Sequence, residues 1–190
     1  MADRHRRREA EADPITRTAG DGRYARVERE QRWVLSEVPA AVTDPVAITD
    51  LYLPGTRLRL RRMEAGPTTV YKLGQKVRPD PQDPETVRLT NLYLSREEYE
   101  TVAALGGAEV RKTRWRWRPA QRTLAVDEFA GALVGLVLAE VELDPQEPRM
   151  ASPPSAIADV TDDDRFSGGT LATTSADALS VLRAGLDRPG

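Results

Sequence analysis

Strand after strand of this sequence puts its charges on one face and its apolar residues on the other, and the charges are sorted by sign. Successive side chains of a β-strand point to opposite faces, so period-2 alternation marks a strand with two unlike sides. Arg57, Arg59 and Arg61 alternate with Leu58 and Leu60. Lys112, Arg114, Arg116 and Arg118 alternate with Trp115 and Trp117. Lys72, Gly74 and Lys76 share one face of another segment, Glu28, Glu30 and Arg32 of a fourth, and Glu140 and Glu142 of a fifth. A solvated exterior tends to intersperse the two signs. Here two strands bear mostly acid and three bear base. Burying so many charges in a dry core would be very costly, whereas a water-filled interior avoids that cost. The pattern therefore predicts a sheet that is charged inside and apolar outside.

The spacing predicts eight strands: Arg26–Leu35, Val46–Leu53, Arg57–Met63, Thr68–Val77, Thr86–Leu94, Glu109–Arg118, Thr123–Ala130 and Val134–Leu143. Pro54-Gly55 turns the chain between the second and third, and a proline-rich link precedes the fifth. One clear helix is predicted from Ser95 to about Leu105. Ser95 and Glu98 stand in capping-box spacing, and Gly106-Gly107 ends the run. Tyr99 and Val102 mark its inner face. A helical turn is expected near Ser152–Ala158 and a last short helix over Ala176–Gly185. Mostly short connections favour antiparallel pairing, and eight strands suit closure into a barrel. Residues 1–24, arginine-rich and without period, read as a disordered arm. A single domain spans 25–172, followed by a C-terminal tail at 173–190. The fold class is mainly β, with a few helices covering the barrel. The three tryptophans are expected to pack between barrel and helix.

Composition removes several kinds of chemistry. The chain has no cysteine, and its one histidine, His5, lies in the arm. Neither a disulfide framework, a thiolate nucleophile, a Ser-His-Asp triad nor a histidine-bound zinc site can be built from the body. Basic and acidic residues number 28 and 30, for a net charge of -2, which argues against bulk coating of nucleic acid. The longest apolar stretch, Ala130–Ala139, is shorter than the ~20 residues a membrane helix needs. A cytoplasmic protein with no nucleic-acid or membrane partner is expected, as a monomer or homodimer. What remains is chemistry on carboxylates, arginines and lysines. Carboxylate oxygens suit a hard divalent cation, and guanidinium and ammonium groups suit phosphate oxygens. Lysine is rare beside arginine, and all three lysines, Lys72, Lys76 and Lys112, fall on predicted strands.

At Glu28-Arg29-Glu30-Gln31-Arg32 the sequence resembles the E-x-E-x-K signature of the CYTH superfamily, the triphosphate-tunnel metalloenzymes. The resemblance continues in order. RLRLRR (Arg57–Arg62) resembles the paired-arginine strand, YKLGQK (Tyr71–Lys76) the lysine strand and RKTRW (Arg111–Trp115) the K-x-R strand. VDEFAGALVGLVLAEVEL (Val126–Leu143) is similar to the aspartate strand, its turn and the closing E-x-E. VTDDDRFSGGTLA (Val160–Ala172) is similar to the C-terminal V-T-x-D-x-R-Y segment. The resemblance implies an eight-stranded antiparallel barrel. It also implies an enzyme that acts on a small-molecule triphosphate with Mg2+ or Mn2+. By position, Glu28, Glu30, Glu140, Glu142 and Asp127 would hold metal, and Glu28, Glu30 and Arg32 would form the catalytic signature. Arg59, Arg61, Lys72, Lys76, Lys112, Arg114 and an inward-turned Arg165 would hold phosphate. Two positions depart from the pattern. Arg32 stands where the signature has lysine, and the fifth strand carries Arg88, Thr90 and Asn91 where family members often carry glutamate. Hydrolysis of inorganic, thiamine or nucleoside triphosphate is the leading expectation. Adenylate cyclisation and non-catalytic polyphosphate or nucleotide binding are its rivals.

Overall fold

A computed structural model describes residues 24–80, 83 and 86–186. Nearly all of the predicted N-terminal arm, and residues 187–190 of the predicted tail, lie outside them. The strands are β1 (Arg26–Leu35), β2 (Val42–Tyr52), β3 (Leu58–Ala65), β4 (Thr68–Val77), β5 (Thr86–Leu94), β6 (Ala108–Trp117), β7 (Leu124–Phe129), β8 (Val137–Leu143) and β9 (Ala156–Asp159). Helix α1 spans Arg96–Ala103, α2 Gly168–Leu171 and α3 Ala176–Ala184.

The strands follow one another round the sheet as β5-β4-β3-β2-β6-β7-β8-β1, and β1 pairs back onto β5. The eight strands thus close into an antiparallel barrel with no free edge between first and last. The acid-bearing strands β7, β8 and β1 are contiguous, while the basic strands β3 and β6 are separated by β2.

Three local differences from the sequence reading have physical causes. β2 begins at Val42, earlier than expected, because a bulge between Thr43 and Val46 absorbs Asp44, at φ 51°, and Pro45, which has no N–H to give. β8 begins at Val137, later than expected. Gly131–Leu133 form a 3-10 turn, and Gly135 takes φ 87° just before the strand. The segment expected as a helical turn at Ser152–Ala158 instead contributes β9. Beyond Arg29, β1 keeps β8 on one side but has lost β5 on the other. Strand β9 fills that vacated edge by pairing with Trp33–Leu35, so buried backbone groups find partners that a helix would have left unpaired.

Helix α1 has the predicted capping box: Ser95 Oγ accepts from Glu98 N at 3.2 Å, and Ser95 N donates to Glu98 Oε2 at 2.7 Å. Its Tyr99 ring lies 4.7 Å from that of Tyr71 on β4. No helix among the described residues is long and apolar enough to cross a membrane.

Two apolar clusters flank the charged band. The first lies on the outer face. Trp33, Trp117, Leu124, Val126, Ala139 and Val141 are buried there, and Trp115, Met150 and Ala156 pack on them. The covering element is the segment leading into β9 rather than the helix expected over the tryptophans. The second cluster sits on the inner face. Val34, Val110, Phe129 and Leu138 meet Phe166, Leu171 and Leu179 from the C-terminal segment. That segment therefore plugs part of the barrel with apolar side chains. It approaches β2 so closely that a Cβ at Gly168 would overlap the Tyr52 hydroxyl.

Candidate functional site

Residues opposite each other on paired strands share a face, so the register places the site. Asp50 stands opposite Arg61, Arg61 opposite Lys72, Arg114 opposite Asp127, Arg32 opposite Glu140 and Glu30 opposite Glu142. These side chains line the barrel interior, and a continuous chain of ion pairs runs along that face from Lys112 to Lys76. Lys112 Nζ lies 2.5 Å from Asp127 Oδ2. Arg114 grips Asp127 through Nε and Nη2, both at 2.6 Å, and reaches Glu140 Oε2 at 2.7 Å. Arg32 Nε donates to Glu140 Oε1 at 3.0 Å and its Nη2 to Glu30 Oε2 at 3.2 Å. Lys76 Nζ closes the chain on Glu30 Oε2 at 2.8 Å.

Arg32 is held from its backbone too. Its N–H donates to Thr161 Oγ1 at 3.0 Å, and its carbonyl accepts from Val160 N at 2.9 Å. The Arg32 guanidinium also donates to the Phe166 carbonyl at 3.4 Å. The C-terminal segment thus fixes Arg32 in place.

A second cationic group surrounds Asp50, which the sequence reading did not single out. Arg61 binds it with both Nε and Nη2, at 2.6 and 2.7 Å. Arg59 Nε lies 3.7 Å from the same carboxylate and, though buried, has no hydrogen-bond partner. Gly74 stands opposite Arg59, and a Cβ there would come within 3.0 Å of Asn91 Oδ1 and 3.8 Å of Arg59 Nη2. The tight approach is to Asn91, so the missing side chain leaves room for that amide beside the guanidinium. Asp50 was hidden because one aspartate on an otherwise apolar strand carries no pattern; only the register sets it against arginines.

The carboxylates expected to form a single metal group are divided. Asp127 and Glu140 are taken up by Lys112, Arg114 and Arg32, and Glu30 by Lys76 and Arg32. Glu28 has no ion pair among the described residues, and Glu142 is exposed on the strand opposite Glu30. Among the described residues no three carboxylates converge as a metal-holding group. Arg165 does not turn inward: its side chain is 66% exposed and forks onto Asp163. Lys72 stays out of the ion-pair chain, its ammonium 4.9 Å from the centre of the Tyr93 ring.

Electrostatics separates the carboxylates further. Burial pushes Glu140 up, but Arg114, Arg32 and Lys112 outweigh it and hold the carboxyl well below its usual range. Burial likewise opposes ionisation of Asp127, Asp50 and Glu30, and the cations beside each of them win. Glu28 goes the other way, raised by burial and by the negative charges of Glu30 and Glu142 against Lys76. Lys112 is lowered by burial, with Asp127 opposing and Arg114 adding to the effect.

These directions set a pH dependence of stability. A carboxyl whose folded pKa is depressed contributes stability that is present above its unfolded value and lost as pH falls through the folded one. Asp50 and Asp127 start from 3.8, Glu30 and Glu140 from 4.5. The melting temperature is expected to hold near neutrality and to fall steeply below about pH 4, Glu28 alone acting in the opposite sense. A flat thermal-melt series from pH 6 to pH 3 would contradict the ion-pair network.

A closed eight-stranded antiparallel barrel with cations and carboxylates on its inner face is the fold that the resemblance to the triphosphate-tunnel proteins implies. Two solved structures of NE1496 share it. One, described as a hypothetical protein, is 24% identical, with a TM-score of 0.55 over 78% of this chain and 99% of that one. The other, described as an inorganic triphosphatase, is 23% identical, with a TM-score of 0.53 over 77% of this chain and 95% of that one. PH1819 from Pyrococcus horikoshii OT3 is 16% identical at a TM-score of 0.46, over 84% of this chain and 88% of that one. No protein-family model matches the chain, and no curated protein matches it significantly.

Proposed function

We propose that the chain is a metal-dependent triphosphatase that binds the triphosphate inside the barrel. The observation that carries this reading is the buried Nε of Arg59, which makes no hydrogen bond and lies 3.7 Å from Asp50 in the company of Arg61, Lys112 and Arg114. A buried donor without an acceptor is costly, and a phosphate oxygen is the acceptor such a group recognises best. The likeness to NE1496, described as an inorganic triphosphatase, supports it.

The acidic residues fit a hard cation by their chemistry. Their donors are all oxygen, and the pKa of Glu28 is raised first by burial and then by the negative charges of Glu30 and Glu142 beside it. Glu28, Glu30 and Glu142 would hold Mg2+ or Mn2+, with Lys76 and Arg32 yielding part of their hold on Glu30. The ion, when bound, would polarise the terminal phosphoryl group and acidify a water. Arg59, Arg61, Lys76, Lys112 and Arg114 neutralise the phosphate oxygens, and such positioning and electrostatics carry most phosphoryl-transfer catalysis. Asp127 and Glu140 act through these cations by fixing their direction. Arg32, always protonated, supplies a fixed positive charge rather than a proton.

The test is phosphate release from inorganic triphosphate, thiamine triphosphate, ATP and other nucleotides with Mg2+ and with Mn2+. Turnover that needs the metal is the expected result. Binding without turnover, or cyclic AMP as the product from ATP, would replace this reading with a binding module or a cyclase.

A further inference from the structure

Lys72 and Tyr93 form a feature that the ion-pair chain leaves unused. Lys72 stands opposite Arg61 on one neighbouring strand and opposite Tyr93 on the other. All three therefore belong to the inner face, along one line that begins at Asp50. Arg61 is buried on its carboxylate, whereas Tyr93 is 72% exposed. The line thus runs from the phosphate-binding arginines to an open aromatic ring at the rim of the barrel. The Lys72 ammonium lies 4.9 Å from the centre of that ring, which fixes the lysine by a cation–π contact. Tyr93 shares the inner face of β5 with Asn91, which stands opposite Gly74 beside Arg59. A bare triphosphate has no use for an exposed aromatic surface here. A triphosphate that carries a flat ring system does.

We propose that Tyr93 and Lys72 form a rim subsite that stacks the base of a nucleoside triphosphate while its phosphates occupy the arginines within. This rests on the triphosphate reading above and narrows its substrate class. An aromatic platform stacks any base and reads no hydrogen-bonding edge, so the subsite is indifferent to which base it holds. Lys72 is placed to meet the first phosphate of the ester, between the ring and Arg61.

The experiment is calorimetric binding of ATP, GTP and inorganic triphosphate to the full chain in the presence of Mg2+. It compares the wild type with Tyr93→Leu and Tyr93→Phe. Tyr93→Leu is expected to weaken ATP and GTP by about tenfold each and to leave inorganic triphosphate within about twofold. Tyr93→Phe is expected to restore ATP binding, because the ring and not the hydroxyl does the stacking. Equal effects on all three ligands, or none on any while inorganic triphosphate still binds, would overturn the subsite and leave the triphosphate reading standing. Failure of the wild type to bind any of the three would overturn both. Because Tyr93 lies largely in solvent, its replacement is not expected to disturb folding, which an unchanged melting temperature verifies.

Discussion

Asp127→Ala is expected to destabilise the protein by about 3–5 kcal/mol, the usual consequence of removing one partner from a buried ion pair. Asp127 is fully buried and is the sole carboxylate that Lys112 contacts in the chain of ion pairs. It also takes both prongs of Arg114. Its loss leaves an ammonium and a guanidinium facing each other, with Glu140 the carboxylate still bound to the guanidinium. Urea unfolding with an unchanged slope measures the effect, and a loss under about 1 kcal/mol would show that the network is not a structural element. Glu142→Ala supplies the contrast. It removes an exposed carboxylate from the same acidic wall, and its unfolding midpoint should not move measurably. Added triphosphate should restore part of the stability of Asp127→Ala, since it brings back negative charge between the same two cations and a ligand that binds only the folded state stabilises it.

Glu28→Gln is expected to behave in the opposite way, losing activity while keeping the fold. Burial and the charges of Glu30 and Glu142 disfavour the ionised form of Glu28, so a neutral isostere relieves repulsion and the melting temperature should stay level or rise slightly. Metal-dependent triphosphate turnover should fall by about a hundredfold, the scale of loss when a group supporting a metal is changed. Mn2+ binding, followed by electron paramagnetic resonance without substrate, should weaken in parallel. Full turnover in Glu28→Gln would remove the acidic end from the mechanism. A loss of turnover with unchanged Mn2+ binding would keep Glu28 at the site but take it out of the metal's coordination.

These two carboxylates look alike in the sequence, each on an alternating strand with charged neighbours. Their difference comes from register. Asp127 stands opposite Arg114, whereas Glu28 stands opposite Val87, and no local pattern reports which residue of a distant strand will lie across the ladder. Asp50 was missed for the same reason, and Arg165 was misplaced because an adjacent aspartate, Asp163, captures it in the loop. Two of the sequence departures also acquire meaning only in three dimensions. Arg32 is gripped by Glu140, Glu30 and a carbonyl of the C-terminal segment, so the guanidinium uses several donors that a lysine could not direct together. Asn91, on the fifth strand, lies beside Gly74 and Arg59.

The sequence by itself determined the strands, the sidedness of each, the sorting of charge by sign and the eight-stranded closure. It could do so because alternation is a local property of the backbone, and dense charge on one face leaves few ways to fold. Only the tertiary structure decided which charges neutralise one another and which remain available. It also decided that β9, not a helix, completes the edge of β1, and that the C-terminal segment plugs the inner face. Those outcomes depend on pairing between strands far apart in the chain and on the burial that closure imposes. The charged interior predicted from alternation is therefore two things at once. One part is a self-compensated chain of ion pairs from Lys112 to Lys76, and the other is a smaller set of groups, Arg59, Glu28, Lys72 and Tyr93, that stand outside it.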